Sequence, residues 1–443
     1  MGKLLLSYYG DDFTGSTDVM EALASNGVKT ALFLGIPSDE TLAKFDDCRA
    51  IGIAGTSRSQ TPAWMAEHLS PAFAWLKSRD AAICHYKVCS TFDSSPDIGN
   101  IGKAIEIGRD IFAQDCVPVV VGAPELKRYT AFGHLFAAYQ GKVYRIDRHP
   151  VMNRHPVTPM AEADLTVHLA AQTELRIALA DLTMTVGDAA QRIDALLTEH
   201  PGILLIDVDG SCSQVIAGEQ VWRLRSGRNL FVAGSSGVEY ALLHAWNREG
   251  LTAGKGDFPL PGAVERLAVV SGSVSPTTER QIRHATENGF DGVPLDPLAL
   301  VGDDAESAID TAVASGIAVL RSGRSVILHT ALGPSADRGI EIDRIPEARN
   351  RVGTGLGIIL RRLVEAEALK RAVIAGGDTS SHALSELRVE VLTTLLPLQQ
   401  TPGSPLCTAH GNYAATDGLQ IALKGGQVGA DGYFAQIRDG QRS

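Results

Sequence analysis

The apolar positions of this chain fall into two rhythms. Short runs that are apolar on nearly every residue recur at 3–9, 30–34, 50–54, 81–88, 117–121, 202–208 and 230–233. Between several of them lie stretches with the three-to-four spacing of an amphipathic helix, at 16–25, 62–77, 98–112 and 236–247. Runs apolar on both faces predict buried strands, and their alternation with helices predicts parallel βαβ units. The rhythm lapses at 250–262, GLTAGKGDFPLPG, which is rich in Gly and Pro. It resumes with strands at 267–270, 325–328 and 372–375 and helices at 277–288, 355–369 and 383–391. The expectation is two α/β domains with largely parallel sheets and a ligand cleft between them: residues 1–249, a linker at 250–262, and residues 263–443.

Bulk properties narrow the function. A chain of 443 residues exceeds what one core serves. A net charge of -11 argues against a broad nucleic-acid surface, so an anionic substrate needs local cations. No apolar stretch reaches the roughly 18 residues of a membrane span, and the amino terminus lacks the regions of a secretion signal. The six cysteines show no CxxC spacing. They read as thiols in a reducing cytoplasm rather than as zinc ligands.

The candidate chemistry sits in the turns after the strands, the edge where open α/β sheets take ligands. The first is Asp11-Asp12-Phe13-Thr14-Gly15-Ser16. Its paired carboxylates suit holding hydroxyls or accepting a proton, and one of them also suits capping the next helix. The second, Thr56-Ser57-Arg58, offers either a two-pronged clamp for a carboxylate or a surface arginine. The third runs from Lys87 to Ser95 and combines Lys87, Ser90, Thr91 and Asp93, a mixture suited to a polyhydroxylated anion. Successive edges of this kind converge on one crevice. His149 and His155, in the proline-punctuated segment 145–160, have no third ligand at a helpful spacing and read as neutral loop histidines.

In the second half, Gly376-Gly377-Asp378-Thr379-Ser380 joins a strand to a helix. Glycines admit a phosphate close to the backbone, and the first helical N–H groups point at it. Thr379 and Ser380 can donate to phosphate oxygens, and Asp378 can orient Mg²⁺ or a hydroxyl. A plain capped helix start has the same spacing. Ser271-Gly272-Ser273 and Lys424-Gly425-Gly426 are two further small-residue turns, and the run 351–357, with Gly355, is placed in the glycine-rich approach to a helix. None is a Walker A loop or a dinucleotide fingerprint, which argues against a nicotinamide-dependent oxidoreductase.

Taken in order, these runs resemble the four-carbon acid sugar kinase family over nearly the whole chain. The matching segments are DDFTG at 11–15, TSR at 56–58, KVCSTFDS at 87–94, SGS at 271–273, GGDT at 376–379 and LKGG at 423–426. The resemblance implies an amino-terminal sugar-acid domain and a carboxyl-terminal nucleotide domain. It also implies ATP-dependent phosphorylation of a terminal hydroxyl on a short acid such as threonate, erythronate or a 3-oxo-tetronate. The CSTFDS version, with GNIG at 99–102, GHLF at 133–136 and HPVTPM at 155–160, looks most like the branch acting on 3-oxo acids. The stretch 123–129, APELKRY, departs from the 3-oxo-tetronate pattern and brings in a branched relative such as 3-oxo-isoapionate.

With that resemblance, Asp11, Asp12, Arg58, Lys87, Ser90, Thr91 and Asp93 are assigned to the acid, its carboxylate to Arg58 and the Ser90–Thr91 turn. Asp12 is the candidate base, with Asp378 the alternative. Ser271, Ser273, Gly355, Gly376, Gly377, Asp378, Thr379 and Gly426 are assigned to ATP, whose phosphates Mg²⁺ bridges. A threonate or erythronate kinase and a non-catalytic sugar-acid sensor are the competing readings. A homodimer is compatible with all of them, and neither nucleic acid nor membrane is an expected partner.

Overall fold

The computed structural model describes residues 4–441, apart from Pro156, Arg228, Ala253, Gln399, Gln427 and the side chain of Asp378. The chain divides into two compact units, residues 1–31 with 35–256 and residues 32–34 with 257–443.

In chain order the strands up to the division are β1 (Leu6–Gly10), β2 (Thr30–Phe33), β3 (Ala50–Ala54), β4 (Ile83–Lys87), β5 (Val117–Val120), β6 (Arg128–Ala131), β7 (His134–Tyr139), β8 (Lys142–Arg145), β9 (Ile177–Ala180), β10 (Ile203–Ile206) and β11 (Leu230–Gly234). Seven of them form the first unit's sheet in the order β3-β1-β4-β11-β5-β10-β9. Every neighbouring pair in it is parallel. The register aligns the ends of three strands. Gly10 of β1 lies opposite Ala54 of β3 and Lys87 of β4, so three turns leave the sheet side by side.

One face of this sheet is covered by the helices Pro62–Ser78 and Ile101–Phe112 over a core containing Tyr9, Phe73, Tyr86, Phe112 and Phe231. Thr61 caps the first of these helices and Pro62 starts it, where a missing N–H costs nothing. Gly108 lets the second approach, because a Cβ there would lie 2.2 Å from the Phe231 ring. Strands β6, β7 and β8 form a separate antiparallel ribbon that the apolar rhythm does not signal, since its side chains are mostly half-buried or exposed.

The second unit holds β12 (Ala268–Ser271), β13 (Phe290–Pro294), β14 (Ser325–His329), β15 (Arg371–Ala375), β16 (Val391–Leu396), β17 (Leu406–His410) and β18 (Gln420–Lys424). They run β13-β14-β12-β15-β18-β17-β16, parallel as far as β18, with β17 antiparallel to both its neighbours. Buried Arg371 ties the end of this unit together. It donates to the carbonyls of Ile437, Arg438 and Gly262 at 2.7–2.9 Å and to Gln420 Oε1.

Two helix expectations need correction. The helix predicted at 355–369 spans Ala348–Glu367, so the glycine-rich run lies inside it. A Cβ on Gly353 would sit 2.8 Å from His382 Cβ, and one on Gly357 would sit 2.6 Å from Ala383 Cα. These glycines bring that helix against its neighbour, Gly377–Glu386, which itself starts six residues before its predicted position. Among the described residues no helix is long and apolar enough to cross a membrane.

Close backbone contact also sets a stability test. Gly218 faces the helix Gly237–Arg248, and a Cβ there would fall 1.8 Å from the Ala241 carbonyl oxygen. Gly218→Ala is expected to cost about 1–3 kcal/mol. Thermal unfolding should show a Tm lowered by about 2–4 °C per kcal/mol.

Candidate functional site

The three turns of the first unit are stitched into one surface by the backbone. Gly55 N–H donates to Gly10 O (2.9 Å), Asp11 N–H to Lys87 O (2.8 Å) and Arg58 N–H to Asp11 O (3.1 Å). Asp12 starts the helix Phe13–Ser25. Its Oδ1 accepts from Gly15 N–H at 2.6 Å, while Oδ2 accepts from Thr14 Oγ1 at 3.0 Å and Arg58 Nη1 at 2.6 Å. Asp11 differs. Its Oδ2 lies 3.3 Å from Arg58 Nε, and its Oδ1 is buried with no hydrogen-bond partner. Burial pushes its carboxyl up to about 7, against the pull of the Arg58 charge.

The third turn folds back on itself. Phe92 N–H donates to Cys89 O (2.9 Å), with Phe92 in the left-handed region at φ +55°. A bulky residue held there stores strain of about 1–3 kcal/mol, and such strain concentrates at functional sites. The turn leaves the Ser90 hydroxyl half-exposed and points Thr91 Oγ1 at Asp93 Oδ1, 2.5 Å away. Despite the cost of burial, the Arg58 charge and the Thr91 hydroxyl hold the Asp93 carboxyl below the usual range. Lys87 is buried, with Nζ 3.8 Å from Asp18 Oδ2, and the Ser236 hydroxyl donates to that same oxygen.

The seven expected acid-binding residues thus come from three neighbouring turns, and direct contacts link most of them. Sequence reading missed three further members. Thr158 Oγ1 donates to Asp93 Oδ2 (3.2 Å) and lies 3.1 Å from His155 Nδ1, so His155 stands one hydroxyl away from Asp93. Its signal was the HPVTPM run. Asp18 lies mid-helix with nothing in its spacing to mark it.

In the second unit the helix after β12, Pro276–Glu287, packs with the carboxyl-terminal helix Tyr433–Asp439, while the helix after β15 packs with Ala348–Glu367. The chain therefore leaves β12 and β15 toward different helix layers, and such a switch point opens a crevice between the two turns. The turns touch there. A Cβ on Gly272 would lie 2.2 Å from Thr379 Oγ1, and one on Gly376 would lie 3.5 Å from Ser273 N. Gly376 has φ +124°, a conformation only glycine adopts readily. Gly426 closes the third side, its Cβ position 3.2 Å from Ser273 Oγ.

Ser271 is buried at the end of β12, its Oγ accepting from Ser273 N–H (3.4 Å). Gly377 opens onto free space, with no group within 4 Å of its Cβ position. Gly355 stands apart from the turns, inside a helix against Leu300 and Ile309. The side chain of Asp378 lies outside the described residues. Lys424, which in the sequence reads as a cation able to reach a phosphate, is buried beneath these turns. Its Nζ donates to Thr278 Oγ1 (3.1 Å) and Gly425 O (2.8 Å), and burial pulls its pKa down to about 7.

The Asp11 shift sets a sign for stability. The folded chain keeps this proton up to about pH 7 while the unfolded chain loses it near 4, so stability falls as pH rises between those values and then levels. Asp11→Asn removes that slope. Melting temperatures should show the variant gaining on the unsubstituted chain from pH 4 to 7, and a constant difference across the window refutes the shift.

Comparison with known proteins matches this arrangement. A model of a sugar-binding N-terminal domain covers residues 6–242, and one of a nucleotide-binding C-terminal domain covers residues 268–434. The 3-oxo-isoapionate kinase of Paraburkholderia graminis is 45% identical over 99% of this chain and 95% of its own length. The 3-oxo-tetronate kinase of Methylobacterium radiotolerans is 30% identical over 99% of both, and that of Cupriavidus necator 28% over 97% and 95%. Solved structures of a Haemophilus influenzae protein of the DUF1537 family and of a Salmonella typhimurium LT2 protein share the fold. Their TM-scores are 0.71 and 0.76 at 24% identity, each over 98% of this chain and over 99% and 98% of their own. With a sugar-binding model spanning more than half of it, a nucleotide-binding model after that, and whole-length identity to these kinases, the chain belongs to the four-carbon acid sugar kinase family.

Proposed function

We propose that this chain transfers the γ-phosphoryl group of ATP to a terminal hydroxyl of a short sugar acid, a 3-oxo acid of the 3-oxo-isoapionate kind. The observation that carries this reading is the 45% identity to a 3-oxo-isoapionate kinase along the whole chain. The polar turns of the first unit support it as the acid's seat. They offer hydroxyls at Ser90 and Thr91, cations at Arg58 and Lys87, and acids at Asp11, Asp12 and Asp93.

In the second unit the phosphates lie against Ser271 and Ser273, Gly376, the first helical N–H groups at Gly377–Thr379, Gly426 and Lys424. Mg²⁺ enters with the nucleotide. Phosphate oxygens carry most of its coordination, with Asp378 the residue of this chain that would orient it. The six free cysteines suit a reducing cytoplasm.

The reaction asks the protein mainly for positioning and charge balance. The substrate hydroxyl oxygen bonds to the γ-phosphorus, the bond from that phosphorus to the bridging oxygen breaks, and ADP leaves. The hydroxyl proton passes to one of the adjacent carboxylates, Asp11 or Asp12. Asp12 is engaged by three donors. Asp11 keeps an oxygen free and a pKa near neutrality, the range in which a base contributes about 10²–10⁴-fold.

Two measurements test this. The chain incubated with ATP, Mg²⁺ and a panel of 3-oxo and reduced four-carbon and branched acids should release ADP, fastest with a 3-oxo acid. Acid binding without ADP from any of them makes the protein a sensor. Lys424 is charged below about pH 7 and neutral above it, so the KM for ATP should climb as pH rises past 7. Lys424→Met should show a weaker but pH-independent KM for ATP.

A further inference from the structure

Arg128, the first residue of β6, sits in the 123–129 stretch and carries an unspent charge. Its Nη1 donates to the carbonyls of Leu126 (3.0 Å), Lys127 (3.1 Å) and Ala138 (3.5 Å). Its Nε is buried without a partner, and no acid pairs with it among the described residues. Beside it stands His149, 4% exposed. His149 Nδ1 accepts from the N–H groups of Val151 and Met152, both at 3.2 Å. In the neutral ring this puts the proton on Nε2. That Nε2–H is buried and turned toward Ala138 O without closing a hydrogen bond. Tyr139 and Tyr144 hold the ring edge-on at 5.4 and 6.0 Å. Burial and the Arg128 charge both disfavour protonating it. The result is two adjacent buried donors, one of them cationic, that face a single shared acceptor, the Ala138 carbonyl, and no anion.

These donors stand at the same edge of the sheet as the acid-binding turns: Ala123 N–H, in the turn after β5, donates to Arg128 O (2.9 Å), and only β11 separates β5 from β4. Met152, which donates to His149, accepts from Met160 N–H (2.9 Å), two residues from the Thr158 that reaches Asp93. The two arginines differ in what already balances them. Arg58 lies between Asp11 and Asp12, in a cluster where four carboxylates, Asp11, Asp12, Asp18 and Asp93, share Arg58 and Lys87, with His155 near Asp93. An incoming carboxylate gains little there.

We propose that Arg128, with His149 Nε2–H beside it, is the seat of the sugar acid's carboxylate, while Arg58 holds Asp11 and Asp12 in place. A carboxylate arriving at Arg128 meets a desolvated, uncompensated guanidinium, the setting in which a charge-assisted pair is strongest. The proposal rests on the kinase reading and deepens it, since it names what distinguishes an acid from a neutral sugar.

The test uses the full chain, ATP and whichever acid of the panel it phosphorylates fastest, together with the neutral amide of that acid. Arg128→Gln should raise the KM for the acid about 10- to 100-fold, leave the KM for ATP unchanged, and abolish the preference for acid over amide. Arg58→Gln should keep that preference. Arg128→Lys and His149→Gln should each raise the acid KM by a smaller factor, and they carry the test if Arg128→Gln lowers the Tm. An active chain whose Arg128 and His149 variants keep the acid KM and the preference overturns this seat alone. A chain that phosphorylates no acid overturns the kinase reading, and the seat with it.

Discussion

The Arg58 guanidinium, inserted between Asp11 and Asp12, is the interaction on which the first unit's carboxyl edge depends. Parallel strands in matched register bring acidic turns together, and adjacent carboxylates repel unless a cation stands among them. Arg58 supplies that cation through its side chain and also fixes the turns through its backbone. Its N–H donates to Asp11 O. Its carbonyl oxygen lies where a Cβ on Gly99 would come within 2.4 Å, so that position, at φ +62°, is held by glycine. One residue thereby sets the spacing of the first, second and third turns.

Buried groups are normally hydrogen-bonded, and exceptions call for a reason. In the first unit Asp11 Oδ1, Asp18 Oδ1, Arg128 Nε and His149 Nε2 are all buried and unpaired. Asp11 lies in the first turn and Asp18 beside Lys87, whereas Ser7 Oγ and Trp246 Nε1, unpaired as well, belong to the scaffold. Arg371 in the second unit is the counter-case. It is as deeply buried, but carbonyls and Gln420 use its fork fully, so its role is to tie the carboxyl-terminal helix to the sheet.

On the proposed reading the second unit solves a different problem, holding a flexible polyanion with backbone rather than with a fixed array of side chains. Its turns approach so closely that Gly272, Gly376 and Gly426 leave no room for a Cβ without displacing Thr379 or crowding Ser273. Helix N–H groups then face the crevice at the switch point, where their partial positive charge complements phosphate. On the same reading Lys424, whose pKa burial lowers, takes up a proton when the anion arrives.

The amino-acid sequence by itself determined the α/β class, nearly all strands of the first sheet and the turns that carry chemistry. Apolar runs and turn residues are local signals, and the 50–54 strand appears where its run stands. What only the tertiary structure decided is who meets whom. Thr158 reaches Asp93 across 65 positions, and Arg128 comes beside His149 through a ribbon whose half-exposed strands leave no apolar rhythm. Gly353 reads as lying ahead of the helix because glycine is flexible in isolation, yet it sits with Gly357 in a helix that needs a smooth face against its neighbour. Likewise Asp11 and Asp12 are one dipeptide in sequence. Burial, register and the reach of Arg58 give the first a free oxygen and the second three donors, a difference that no local pattern encodes.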